Sequence, residues 1–465
     1  MKNFMGRKSE LAALEKAYRH ESGFVVVYGR RRVGKTTLIK EFIKNKKAYY
    51  FLATEELERE NMKNFTRGLA RFSGENYLLE TMFESWDGVF EAFARCVPGE
   101  KKILVIDEFT YLIKSNPAFA SIFQRAWDNI LKDAGVMVIL CGSLAGMMNK
   151  HVLSYKSPLY GRRTAQIRLS PFGFTEFGEY FKSMSFEEKV MFYSVAGGVP
   201  KYIESFDNGL SLMDNIESAI LSRQGFLYEE PSFLLEKEVN ELVSYFSIIK
   251  TIAAGNRKLG AIGCSLGLQS AQLTAYIKTL IELDLIEKRV PATESNPEKS
   301  RRGLYFIRDN FIKFWFTFVA PYRSELEMEN KKFVMKKIRE NIIDNHAGFI
   351  FEDISREIIG NLCREGKLPF SFDRIGSYWN GSLEIDICAI TETGKKALLG
   401  ECKFSKKPVE ARVYFELVKK AVCVKELDEY DKSFAIFSKS GFSEELLAVK
   451  KKNGSLFLIN NGEPE

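Results

Sequence analysis

The chain has little that could hold a soft metal or staple a secreted fold. Of its 465 residues only three are histidine and seven are cysteine, an odd number with no CxxC pair. Both counts argue against a zinc site and against a disulfide framework. Any metal is therefore expected to be a hard ion held by oxygen, with Mg2+ the default. No run of eighteen apolar residues occurs, and the polar start passes into a charged helical pattern instead of a leader. The expectation is a soluble, cytoplasmic protein with no membrane partner. Charge of one sign is also scarce: the net charge is +7, with 45% hydrophobic and 28% charged residues. That balance suits a chain globular throughout, and it permits nucleic-acid binding without requiring it. Two to four domains are expected at this length.

What is present begins at residues 24–38, FVVVYGRRRVGKTTL, an apolar strand running into a glycine loop and then a helix. Gly29 and Gly34 let consecutive N–H groups converge on phosphate oxygens, and the helix starting near Lys35 aims its positive end at the same point. Lys35 can reach the β and γ phosphates of ATP, and the Thr36 hydroxyl can ligate Mg2+. Gly29, Arg30, Gly34, Lys35, Thr36 and Thr37 are the expected nucleotide-binding residues.

Residues 101–112, KKILVIDEFTYL, form a second apolar strand ending in adjacent carboxylates. Strand alternation sends Asp107 and Glu108 different ways, so they divide the work. Asp107 suits the shell of the Mg2+ ion, and Glu108 is placed to activate the attacking water. A third strand, 136–140, leads to Ser143, which fits a role in sensing the γ phosphate or the lytic water. Farther on, PLYGRRT offers Arg162 or Arg163 as an arginine finger, from this subunit or a neighbour, with plain surface charge as the alternative. A working Arg162 in trans would require a homo-oligomer. Branched parallel strands with helices between them, such as 119–132, predict a covered sheet with its ligand at the carboxyl ends of the strands.

FMGRKSEL, YGRRRVGKTTL, VIDEFTYL, CGSLAGMM, SPLYGRR and GGVPKY together resemble the archaeal-type ATPase family, related to signal-transduction ATPases with numerous domains and more distantly to the AAA+ group. The resemblance implies a regulated ATPase with a small helical lid. It also implies that Arg7 lies on the nucleotide side, against base and ribose, and that the turn 198–200, with Pro200, lies near the adenine. Read as residues alone, Arg7 could equally be a solvated helix-start arginine, and Pro200 a plain helix breaker.

From residue 238 the pattern changes to short helices at 243–253, 259–266 and 270–285, the last with Ser270 as its expected cap. Two strands, 286–291 and 303–307, flank a polar loop, SNPEKSRRG. This is a winged-helix arrangement, with Gln269, Gln272, Thr274 and Lys278 on the recognition helix and Lys299, Arg301 and Arg302 at the wing tip. It could touch DNA phosphates or relay the state of the motor. The aromatic stretch 309–322 is too short and too charged at its start to span a membrane, and reads as a buried interdomain helix.

The C-terminal region carries a second chemistry. A helix over 349–359 precedes LEIDICAI at 383–390 and ALLGECKF at 397–404. Alternation places Asp386 with Glu384 on one side of the first strand, and Glu401 with Lys403 on one face of the second. Asp386 and Glu401 can then chelate a hard divalent ion beside Lys403, a combination suited to phosphodiester hydrolysis. EID and ECK resemble the restriction-endonuclease-like PD-(D/E)xK superfamily, although isoleucine stands where the superfamily name has proline. The resemblance implies that Glu352 completes the metal site, with Mg2+ or Mn2+ bound, and that Lys403 is catalytic. A fold of this kind that binds without cutting is the alternative.

The expected class is α/β: a P-loop ATPase core over 1–180, a helical lid over 181–235, a winged helix with the aromatic helix over 236–325, and a nuclease-like domain over 326–465. The expected function is ATP-controlled processing of DNA, against an ATP-gated DNA-binding regulator or signalling switch that does not cleave.

Overall fold

A computed structural model describes residues 4, 6–143 and 145–465. Met5 and Leu144, inside two of the motifs above, lie outside that range. The chain divides into two compact units, the first ending at Pro171 and the second spanning Phe172–Glu465.

The first unit is built on a five-stranded sheet. β1 (Gly23–Tyr28), β2 (Ala48–Leu52), β3 (Ile103–Asp107), β4 (Met137–Gly142) and β5 (Ala165–Arg168) are arranged in the order β2-β3-β4-β1-β5. All four pairings are parallel. Alternation divides the strands between two cores, as a sheet covered on both faces requires. Phe24, Val26, Leu104, Ile106, Val138 and Leu140 pack on one side with the helices Glu58–Ser73, Trp86–Arg95 and Phe119–Ala126. Val25, Val27, Ile103, Val105, Met137 and Ile139 pack on the other with Leu38, Ile39 and Phe42 of the helix Lys35–Ile43. The glycine loop after β1 and the acidic end of β3 thus lie at one edge, with β4 between their strands.

The second unit begins with helices around a large apolar cluster that includes Trp315, Tyr202 and Phe311. Three helices, Leu242–Ala253, Leu259–Leu266 and Ser270–Glu282, precede the antiparallel hairpin of β6 (Ile286–Arg289) and β7 (Leu304–Ile307), as the pattern predicts. Ser270 is the first helical residue instead of the cap. Gln269 occupies the cap position without a side-chain bond. The aromatic helix is shorter than expected, Asn310–Phe318: Asp309 caps its start by accepting from Ile312 N at 2.8 Å, and Ala320–Tyr322, which holds Pro321, forms a separate 3-10 turn after it.

The remaining sheet is mixed, in the order β13-β12-β11-β10-β9-β8. Its strands are β8 (Arg374–Asn380), β9 (Leu383–Thr391), β10 (Lys396–Lys403), β11 (Asp431–Ser438), β12 (Leu456–Asn460) and β13 (Glu463–Pro464). The helix Gly348–Arg364 covers one face through Ile350, Phe351 and Ile354 against Ile387, Ala389 and Leu398. The helix Ala411–Val422 covers the other through Tyr414, Leu417 and Ala421 against Cys388, Ile390 and Leu399.

Candidate functional site

In the first unit the loop conformation follows from its glycines. Gly29 has φ 151°, and a Cβ there would lie 2.2 Å from the Leu169 carbonyl oxygen, so only glycine fits against β5. Gly34 takes φ 91° at the helix N-cap. Lys35, 6% exposed, donates to Gly29 O at 2.8 Å and to Arg30 O at 2.9 Å, which holds its ammonium over the loop. Thr36 and Thr37 face solvent at the lip, and Arg30 is buried.

The two carboxylates diverge as expected, but through a turn at Glu108, past the end of β3, and not through strand alternation. Asp107, 3% exposed, turns to the loop, where its Oδ2 accepts from Thr36 Oγ1 at 2.9 Å. Tyr50, on β2, donates its hydroxyl to the same oxygen. Burial, reinforced by the negative Asp107, pushes the Tyr50 hydroxyl above its ordinary range, so it stays a donor. Glu108 adopts φ 52°, a sparsely used conformation for a residue with a side chain. That turn sends its carboxylate to β4, where Ser143 donates from Oγ at 2.7 Å and from its backbone N at 3.4 Å. Tyr50 is the partner that sequence reasoning missed. Its signal was weak: one of two adjacent tyrosines on a strand whose neighbour in the sheet is known only from the fold.

The arginines are engaged with protein partners. Arg7 is no solvated helix start: it is 6% exposed and donates to Val33 O of the loop at 3.1 Å and to Ser170 O at 2.6 Å. It ties the loop backbone to the end of the unit. Arg162 is forked onto Asp128, with Nη2 2.7 Å from Oδ2. The pair is partly exposed, and Arg163 donates to Leu153 O at 3.0 Å.

In the second unit Pro200 opens a one-turn helix, Pro200–Ile203. Gly198 before it is required, since a Cβ would meet Phe172 O at 1.8 Å.

The C-terminal acids meet around a β-bulge. Gly376 pairs with Cys388 but Tyr378 with Ile385, so two steps on β8 match three on β9. The extra residue breaks the period-two reading that set Glu384 and Asp386 side by side on one face, because alternation does not carry across a bulge. Asp386 stands at the bulge, its Oδ2 accepting from Cys402 N at 2.8 Å. Glu401 and Lys403 share a face as predicted, 3.1 Å apart. It is the face of the helix Ala411–Val422, whose Lys420 also reaches both Glu401 oxygens at 3.2 Å. Glu352 comes from the helix on the opposite face.

Asp386 therefore bridges the set. Burial and then repulsion by Glu401 push its carboxyl up, and burial and then repulsion by Asp386 push Glu352 up. Crowded, half-dry carboxylates of this kind favour a hard cation. Against that, Glu401 is already held by two lysines, and among the described residues no group of three acids, histidines or cysteines is close enough to hold one ion. The expected three-carboxylate cage of Glu352, Asp386 and Glu401 is thus not formed as such, because two of its members rise from opposite faces of the sheet.

The wing also differs. Lys299 and Arg301 are exposed, but Arg302 pairs with Glu294 at 3.1 Å and Glu426 at 2.9 Å, and its carbonyl accepts from Trp379 Nε1 at 3.0 Å. On the helix Ser270–Glu282, expected as the recognition helix, Gln272, Thr274 and Lys278 face solvent.

Comparison with known proteins agrees with the first site. Residues 4–206 match the family described as an ATPase domain predominantly from Archaea, and residues 315–414 match one described as archaeal and bacterial proteins of unknown function. An uncharacterized protein of Methanocaldococcus jannaschii is 38% identical over 460 residues, 98% of this chain and 99% of that protein. A second, from the same organism, is 33% identical over 104 residues, 22% of this chain and 94% of that protein. Among solved structures, the Walker-type ATPase of Pyrococcus abyssi matches at 19% identity with a TM-score of 0.51, over 67% of this chain and 96% of that one, a likeness of fold. With its phosphate loop, divided acids and near full-length relative, the chain belongs to the archaeal-type P-loop ATPase family.

Proposed function

We propose that this protein binds and hydrolyses ATP with Mg2+ in its first unit and uses the nucleotide state to control a C-terminal domain that cleaves phosphodiesters, with DNA as the substrate. The observation that carries the ATPase half is the division of labour at the end of β3. Asp107 meets the Thr36 hydroxyl, two oxygen ligands suited to Mg2+, while Glu108 is held on Ser143 as the base for water. Mg2+, when bound, would neutralise phosphate charge. Lys35 grips the β and γ phosphates, Gly29, Arg30, Gly34 and Thr37 frame them, and Ser143 reports whether the γ phosphate is present. Arg7 sets the loop's position. Arg162 is the finger candidate, released from Asp128 toward a neighbouring nucleotide, and Pro200 marks the lid side. The domains are those given above: core, lid, winged helix and nuclease-like domain.

In the C-terminal domain Asp386, joined by Glu401 from one face or Glu352 from the other, would supply hard oxygen donors for Mg2+ or Mn2+, and Lys403 orients water or steadies charge at the scissile phosphate. The two lysines on Glu401 favour a second reading, an ATP-gated DNA-binding switch that does not cut. Supercoiled DNA with ATP and Mg2+ or Mn2+ separates them. Nicking lost in Asp386→Ala and Lys403→Ala but retained in part by Lys35→Ala supports cleavage. Nicking equal in all variants, or absent from the wild type, leaves only the switch. ATP turnover that persists in Lys35→Ala at the wild-type rate would remove the motor reading itself.

A further inference from the structure

A cavity of about 450 Å³ lies within the second unit, between the wing hairpin, the aromatic helix and the start of the helix Gly348–Arg364. Seven cationic side chains line it against three carboxylates. One carboxylate is spent: Asp353 is forked by Arg289 at 2.8 and 3.2 Å and also bonded by Arg356. Arg257 and Lys313 differ from these. Both are half-buried, and among the described residues neither meets a carboxylate at ion-pair distance. They lie instead on aromatic faces. The Arg257 guanidinium is 4.5 Å from the Phe306 ring centre, and the Lys313 ammonium is 5.0 Å from that of Phe349. Burial, with Arg257 and Arg289 nearby, holds Lys313 below its ordinary range, at about 8. Asp353 and Glu352 face both cations, and Glu384 faces Arg257, but none forms a direct ion pair with them and Asp353 is shared with Arg289 and Arg356, so a bound anion would complete their charge.

The wall supplies the rest of a recognition chemistry. Trp379 offers a flat apolar face, the complement of a base, while Phe306 and Phe349 hold on their rings the cations that complement a phosphate. The volume lies within the ~300–1,000 Å³ of small-ligand sites, enough for one or two nucleotide units and too small for a duplex. Glu352, on the floor, belongs also to the acid set around Asp386.

We propose that this cavity binds the phosphate-bearing end of a single nucleic-acid strand, with Arg257 and Lys313 on the terminal phosphate. The inference rests on the reading of the neighbouring acids as a phosphodiester site, and names its substrate as a strand end instead of an intact duplex.

The test is equilibrium binding without metal, so that no cleavage is needed. Full-length protein is titrated into a fluorescent single-stranded hexanucleotide carrying a 5′ or a 3′ phosphate, and fluorescence anisotropy is read. Expected results are preference for one phosphorylated end over the unphosphorylated strand, and weakening of about tenfold or more in Arg257→Ala and in Lys313→Gln, as loss of a charge-assisted hydrogen bond implies. Arg257→Lys should recover most of the affinity, which separates loss of charge from misfolding, and Lys313→Gln lies on a different element. Unchanged affinity in both charge-removing variants, or equal competition by blunt duplex, would overturn the proposal, and equal competition by a free mononucleotide would overturn the strand-end assignment. Binding that behaves as expected while nicking is absent sinks the catalytic reading alone. Nicking with no phosphate-end preference sinks this one alone.

Discussion

Replacing Glu108 by glutamine tests the motor most directly, because the change removes basicity and leaves shape. The Glu108 side chain accepts from Ser143 Oγ at 2.7 Å, and a glutamine carbonyl can accept the same bond. The φ of 52° is as demanding for glutamine as for glutamate, so the backbone strain is unchanged. Asp107, Thr36 and Lys35 are engaged elsewhere, with each other or with the loop carbonyls, so the nucleotide grip should survive. A positioned general base is worth roughly 10²–10⁴-fold. At about 1.36 kcal/mol per tenfold, that is roughly 2.7–5.4 kcal/mol of transition-state stabilisation. Single-turnover phosphate release should therefore slow by at least about a hundredfold, while ATP affinity, measured by fluorescent-nucleotide displacement, changes by less than about threefold. Phosphate release in Glu108→Gln within threefold of the wild type would refute the assignment of Glu108 as the base. A collapse of affinity with an unchanged turnover rate would show instead that this carboxylate belongs to the binding shell.

Gly29→Ala should lower the melting temperature and weaken ATP binding together, since its Cβ would sit 2.2 Å from the Leu169 carbonyl oxygen and one backbone must shift. Overpacking of this kind costs about 1–3 kcal/mol, at about 2–4 °C per kcal/mol in a domain of this size. An unshifted melting curve would show that the loop is looser than its φ implies. His346 predicts a pH dependence. It is fully buried, its Nε2 lies 2.6 Å from Ser194 O, and burial followed by repulsion from Lys313 pushes its pKa down to about 3. The unfolded chain, titrating near 6.5, binds the proton more readily, so stability falls as pH drops below 6.5. The slope is up to about 1.4 kcal/mol per pH unit. Urea midpoints between pH 7 and 5 should fall more steeply in the wild type than in His346→Gln, and equal slopes would show that His346 is not the group responsible.

Much of the first site was legible in the chain because its parts are local. The strand, the glycines, Lys35 and Thr36 are contiguous, and Asp107 and Glu108 do diverge, although the bearing of Glu108 comes from a left-handed turn after β3 that the alternation does not announce. The partners of Arg7 and the role of Tyr50 were not legible because Val33, Ser170 and Asp107 lie many residues away. In the second unit the elements were readable from periodicity and the site was not. One inserted residue on β9 cancels the alternation on which the placement of Glu384 and Asp386 rested, and no pattern in LEIDICAI announces it.

Composition and local order thus determined that this chain makes a covered parallel sheet with a phosphate loop and a downstream acidic strand end. Those features depend on residue type and on separations of a few positions, where backbone geometry leaves few choices. Tertiary structure alone decided which face Glu401 takes, that Lys420 joins it, that Arg302 turns inward, and that Arg257 and Lys313 share one cavity. These are contacts between segments remote in the chain, fixed by strand order, by a bulge and by the helices that cover each face.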